Sequence, residues 1–202
     1  MLARYNRCIH GPITAGVTQW TRGFLRDSAG QIGSLLRSEQ PLGMHVHYEQ
    51  FRFRNQVINT LAQHYPDTVG FQTGYHDISD SERMRRWCAH KAHWTVPVLN
   101  DIPIRIFDAL STGGVAIVAD SLKHLPIISA LAEHFVFYRA TDIVEPRAIV
   151  EEANRKFDAG GLEKVLERHR LGVEHHHVST RIERILQTVF DEFELPKSAR
   201  KI

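Results

Sequence analysis

The spacing of apolar positions along this chain changes character at residue 44. Before that point they are sparse. Val17, Trp20 and Phe24 suit one face of a short helix, as do Ile32, Leu35 and Leu36, but glycines and prolines from Gly11 to Gly43 interrupt any longer pattern. This texture predicts a linker or docking arm over residues 1–43. From residue 44 the pattern becomes an alternation of strands and helices. Residues 44–48 (MHVHY) alternate as a half-buried strand does, and residues 51–65 carry Val57, Ile58, Leu61 and Tyr65 at helical spacing until Pro66. Residues 68–73 form a second candidate strand, closed by Gly74. Ser79 and Glu82 make an S-x-x-E capping box that opens a basic helix to about Lys91. Residues 94–99 form a short third strand, and Pro97 within it argues for an edge or a strand end.

The next stretch is the most regular. Residues 104–112 are amphipathic at helical spacing, Gly113-Gly114 stops them, and residues 115–119 (VAIVA) are continuously apolar. Such a run suits a strand buried on both faces of a parallel sheet. Pro126 starts a helix reaching His134, and residues 135–138 (FVFY) read as another strand. From Pro146 the chain is helical to Phe157, over 162–174 and over 179–193, with breaks at Gly160-Gly161 and Gly172. About five strands alternating with helices predict an α/β fold. It is expected to be a doubly wound, Rossmann-like parallel sheet over residues 44–195 with a helical C-terminal tail, and residues 196–202 a frayed basic end.

Composition narrows the function classes. A chain of 202 residues is one domain's worth and can bury a core without a metal or a disulfide. Its formal charge of +2, from 25 basic against 23 acidic residues, lacks the clustered basic face of a nucleic-acid binder. Cys8 and Cys88 lie far apart and read as reduced thiols. With no apolar run of membrane-spanning length and no signal-peptide core, the expected location is the cytoplasm. The thirteen histidines are unusual. In the triplet His175-His176-His177 adjacent side chains point to different sides, which favours an exposed turn between helices over a helical metal site. Cys88, His90 and His93 fit no zinc spacing and lack a fourth ligand, so no metal is expected.

The candidate chemistry is concentrated in residues 99–120, LNDIPIRIFDALSTGGVAIVAD. In parallel α/β sheets ligands sit outside the carboxyl ends of the strands, where Asn100 and Asp101 fall. The helix beginning at Ile104 offers free N–H groups and a positive dipole end to an anion. Asp108, one turn further in, can accept bonds from ribose hydroxyls if it faces the crevice; otherwise it is a solvated helix residue and Gly113-Gly114 a plain cap. Lys123 and His124 follow the VAIVAD strand and suit phosphate or sugar hydroxyls, or equally a surface loop. Nucleophile-elbow, P-loop and G-x-G-x-x-G patterns are absent, which sets aside hydrolase, P-loop and nicotinamide readings.

Residues 99–120 resemble the nucleotide-sugar-binding segment of GT-B glycosyltransferases, most closely the CgeB-like group related to the retaining family with an E-x7-E motif. The resemblance implies two acidic positions flanking the donor sugar and the ribose. Asp108 matches the second, Asn100 falls at the first with Asp101 beside it, and Arg105 matches an arginine that recurs just before the helical acid. Asn100 departs from the acidic pattern. Around residues 47–61 the chain is similar to the opening strand and basic helix start of the same domain, with Arg52 and Arg54 as candidates for the diphosphate; both also read as surface arginines. Residues 173–186 resemble the closing pattern of valine, histidine and a helix with arginine, matched by His176 or His177 and Arg181. What this implies is a single GT-B half, binding a nucleotide diphosphate sugar without a metal or other cofactor. Catalysis would then need a second α/β domain or a partner chain. The other reading is a non-catalytic nucleotide-binding or protein-interaction module on the same half fold.

Overall fold

A computed structural model describes residues 16–73 and 77–192. It is mixed α/β, with every strand pairing parallel. β1 (Gly43–His45) pairs with β2 (Val69–Phe71), and β3 (Ala92–Trp94), β4 (Val115–Ala119) and β5 (Phe135–Tyr138) form a second sheet in that order. A single parallel bridge links the two. Leu42 donates its N–H to Ala92 at 2.9 Å, and its carbonyl accepts from Trp94 at 2.8 Å. Across that bridge the strands run β2-β1-β3-β4-β5. β4 is the central strand of its sheet, and all five of its residues are buried, as its unbroken apolar run requires.

The helices that precede and connect the strands are α1 (Arg22–Asp27), α2 (Ala29–Ile32), α3 (Arg52–His64), α4 (Asp80–Cys88), α5 (Ile104–Ser111) and α6 (Pro126–Ala130). A 3-10 turn, Ala132–His134, leads into β5. α7 (Arg147–Arg170) and α8 (Val178–Glu192) follow, joined by a π turn at Leu171–His175. The cap of α4 is half of the expected box. Ser79 accepts from the Glu82 N–H at 3.2 Å, while the Glu82 carboxylate is taken by Arg85 and Arg86. The two C-terminal helices expected on either side of Gly160-Gly161 are continuous except for Gly161, whose φ of 54° and ψ of −159° kink α7 in place.

Three expectations are corrected. The third strand lies at Ala92–Trp94, not at 94–99, and it is internal, between Leu42 and β4; Pro97 falls beyond its end. The described part of the supposed arm, residues 16–43, is integral to the core. Val17, Trp20, Leu25 and Ile32 are buried. Val17 exchanges backbone bonds with His176 and Val178, and Arg37 donates to the carbonyls of Ile32 and Thr112. The histidine triplet does fall at the turn between two helices, but only His175 is exposed; His176 and His177 form the far side of that clasp. His177 is buried, donating from Nε2 to the Trp20 carbonyl at 3.0 Å and accepting at Nδ1 from Ser179, and His176 stacks on Phe107. Residues 1–15, including Cys8, and the final basic segment lie outside the described residues, as does Gly74.

Arg168 and His169, near the end of α7, donate to the carbonyls of Gly113 and Ser111, and so tie the helix to the amino end of β4. Gly113 makes this approach possible. Its φ is +73°, and a Cβ there would lie 2.6 Å from Val165 Cγ1. Phe157 is buried on the same helix, with the guanidinium groups of Arg37 and Arg168 at 5.1 and 5.6 Å from its ring centre.

Candidate functional site

The carboxyl ends of β3, β4 and β5, together with the start of the helix that follows β1, open onto one cavity of about 710 Å³. Its floor is Val96, Ala119 and Tyr138; one wall is Gln50 and Phe51 with the first turn of α3 to Arg54, and the rim carries Leu99, Asn100, Ser121 and Arg139. The volume is that of a small-molecule site, and much of the lining is apolar, as such sites are.

The loop that carries α3 into this position is held from inside. Arg54 donates to the Val46 carbonyl at 2.9 Å, approaches His45 Nδ1 at 3.4 Å and lies over the Tyr48 ring. Asn55 donates to the Tyr48 carbonyl at 2.7 Å. Phe51, the residue before α3, caps nothing with its side chain, so the first-turn N–H groups of a thirteen-residue helix remain available at the cavity wall. Arg52 stands exposed beside them.

The opposite side is the loop after β3. Thr95 donates its hydroxyl to the Ile117 carbonyl at 2.8 Å, and Tyr138 donates to the Thr95 carbonyl at 3.2 Å, fixing the start of the loop to its neighbours. Further on, Asp101 Oδ1 accepts the Val98 N–H at 2.7 Å and closes a turn. Inside that turn Leu99 has φ of +56°, the one non-glycine residue with positive φ among those described, and it is 80% exposed. Such a conformation costs about 1–3 kcal/mol and concentrates at ligand-binding loops. Asn100 next to it lines the cavity.

Of the sequence-derived candidates, the structure brings Arg52, Arg54 and Asn100 to the cavity, although the Arg54 guanidinium is engaged by the β1–α3 loop. Asp101 shapes the loop and does not line the cavity. Arg105, Asp108, Lys123 and His124 are not among the lining residues. Arg105 lies over the Trp87 ring at 5.2 Å and Lys123 over the Phe137 ring, also at 5.2 Å. Lys123 and His124 are exposed.

Asp108 departs furthest from its expected ribose role. It is 0% exposed and accepts from the Gln19 side chain at Oδ2, while Oδ1 has no hydrogen-bond partner. Burial pushes its carboxyl up to about 7, against a lowering contribution from Gln19, Arg105 and Arg83. Two further buried polar groups are His93, which stacks on Trp87 with centroids 4.8 Å apart, and His45; burial holds both imidazoles well below the usual value. His176 is also depressed, to about 4, by burial first and then by Arg181, whose guanidinium is 2.9 Å from His176 Nδ1. Neither His176 nor Arg181 lines the cavity.

Sequence reasoning missed Asp120, Ser121 and Arg139 as site residues. All three follow strand ends, so the same carboxyl-end rule that selected Asn100 would have found them. Asp120 is the one acidic side chain lining the cavity among the described residues. The Cys88 thiol is buried, lies 3.5 Å from Met84 Sδ, and is pushed up to about 11 by desolvation. Among the described residues one group has metal-ligand spacing: Glu133, His134 and Glu167, at the amino end of β5 and so at the other end of that strand from the cavity. No helix among the described residues is long and apolar enough to cross a membrane. Comparison with family models, with curated proteins and with solved structures finds no match to this chain.

Proposed function

We propose that this chain is a donor-binding domain of the GT-B glycosyltransferase type, CgeB-like in its motif. It takes a nucleoside diphosphate sugar into the cavity at the strand ends and acts with a second α/β domain or a partner chain that supplies the acceptor side. The observation that carries this reading is the position of the cavity. It lies outside the carboxyl ends of parallel strands, and β1 and β3 are bridged where the connections depart in opposite directions across the sheet. That is where open α/β sheets bind ligands. The fold reading that goes with it is one doubly wound, Rossmann-like sheet in the order β2-β1-β3-β4-β5.

In this account the diphosphate lies over the start of α3, where free N–H groups, the helix dipole and Arg52 meet its charge, with Arg139 facing it from β5. The base packs on the apolar rim around Phe51, Phe53 and Leu99. Asn100, Asp120 and Ser121 serve hydroxyl groups of the ribose or sugar. Because the diphosphate is the leaving group, the same cations and dipoles stabilise charge as it develops, and no bound metal is required of the chain. Arg105, Asp108, Lys123 and His124 have no place in this contact set. The reaction and the chain's other properties are those expected of a cytoplasmic transferase.

One observation favours a second reading, a nucleotide-binding module without catalysis. The first acidic position of the family pattern is Asn100, and Asp120 is the only carboxylate lining the cavity among the described residues. A thermal-shift panel of UDP, GDP, ADP, CDP and dTDP sugars tests both. Binding raises the melting temperature by mass action. If no nucleotide moves the melt, both readings fail. If one does, release of the free nucleoside diphosphate with acceptor extract marks the enzyme, and binding without release marks the module.

A further inference from the structure

At the amino end of β5 the turn Ala132–His134 faces the second half of α7. It brings Glu133, His134 and Glu167 together so that one ligand atom of each lies within 4.8 Å of the other two. His134 is 3% exposed. Its Nε2 faces Oε1 of Glu133 at 3.8 Å and Oε1 of Glu167 at 3.9 Å, distances too long for hydrogen bonds. One ring nitrogen of this buried side chain is therefore aimed between two carboxylate oxygens without bonding to either. The outer oxygens are held differently. Lys164, one turn before Glu167, lies 2.7 Å from Glu167 Oε2 and 3.3 Å from Glu133 Oε2. The turn itself is fixed by Lys156, whose ammonium donates to the carbonyls of Glu133 at 3.0 Å and Phe135 at 2.7 Å.

We propose that Glu133, His134 and Glu167 form a binding site for one divalent transition-metal ion of the zinc class, with Lys164 as a built-in competitor for the carboxylates. An imidazole nitrogen with two carboxylate oxygens suits zinc or cobalt better than magnesium or calcium, which prefer all-oxygen shells. Three protein ligands leave a fourth tetrahedral position to water. Bonds of about 2.0–2.2 Å place neighbouring ligand atoms roughly 3.4 Å apart, so the carboxylates close by a modest movement. Glu133, with its side chain 65% exposed, has the freedom to make it, while burial holds His134 in place. The ion crosslinks the turn before β5 to α7 beyond its Gly161 kink, and the Lys164 ammonium moves to solvent. Being at the opposite end of β5 from the cavity, this site stands or falls independently of the nucleotide reading.

The test is a titration of the chelator-treated full chain with Co2+, followed by its visible ligand-field absorption, and competition with Zn2+. One ion per chain is expected. Glu167→Gln, an isosteric change on the helix surface, weakens binding at least about tenfold, and Lys164→Gln tightens it several-fold by removing the competing cation. In the unaltered chain, paramagnetically shifted proton resonances from the His134 ring locate the ion without reliance on any variant's folding. The proposal is overturned if the chain takes up no ion at hundred-micromolar metal, if Glu167→Gln binds like the parent, or if the shifted resonances belong to other histidines. An unchanged affinity in Lys164→Gln overturns the competitor role of Lys164.

Discussion

Asp108→Asn distinguishes a core carboxyl from a ligand-binding one. The folded side chain is wholly buried, with one oxygen bonded to Gln19 and the other without a hydrogen-bond partner, and its carboxyl is raised to about 7 against the 3.8 of a solvated aspartate. Because the folded value is the higher one, the unfolded chain gives up its proton first. Between those two pH values the folded state holds a proton that the unfolded state has lost, so stability falls as pH rises through the window and levels off above it. At about 1.4 kcal/mol per pKa unit the full loss is roughly 4 kcal/mol. Asparagine cannot ionise and keeps the acceptor for Gln19, so it mimics the protonated form at every pH. Urea denaturation of parent and variant, run in parallel from pH 4 to pH 8, reads the difference directly. The two are expected to be nearly equal at pH 4, with the variant more stable by roughly 4 kcal/mol at pH 8. A difference that stays constant across the range, or a variant less stable at pH 8, refutes the assignment and returns Asp108 to an ionised, functional role.

Three further outcomes follow from the geometry. Arg52→Ala is expected to weaken nucleoside diphosphate binding about tenfold or more in calorimetry, while Lys123→Ala leaves it unchanged, because only the former lines the cavity. Gly113→Ala forces a side chain at φ of +73° against Val165 and should cost roughly 2–4 kcal/mol in chemical denaturation; a cost under about 0.5 kcal/mol would contradict the close approach of α7 to β4. Phe157→Ala empties a buried position between Arg37 and Arg168, and a loss of about 3–5 kcal/mol is expected, measured the same way.

What the pattern of residues revealed depended on how local the cause was. β4 and β5 could be located to the residue because their apolar runs are unbroken and sharply bounded, β4 by Gly114 and Asp120, β5 by His134 and Arg139. α3 and α5 were equally plain from their periodicity. β3 was displaced because His93 and Lys91 read as polar although both are buried, His93 stacked on Trp87 and Lys91 paired with Asp158. The segment at 16–43 looked like an arm because its apolar residues are scattered; their burial comes from contacts with the histidine triplet and α7, more than a hundred residues away. The site divides in the same way. Arg52 and Asn100 follow from the rule that strand ends face the ligand, and Arg139 and Ser121 follow from it too once β4 and β5 are known. Asp108 does not, since helical spacing cannot tell a crevice from the core when the partner, Gln19, is distant in sequence.

Backbone amide chemical shifts test most directly the nucleotide site proposed for the cavity at the strand ends. On titrating the full chain with the nucleoside diphosphate that shifts its melt most, the largest changes are expected at Arg52, Phe53 and Arg54 in the first turn of α3. Smaller ones are expected at Leu99, Asn100 and Ser121. Saturable shifts confined to those residues are the predicted result. No shifts with any of the five nucleotides, or shifts centred on Asp108, Lys123 and His124 instead, would contradict it.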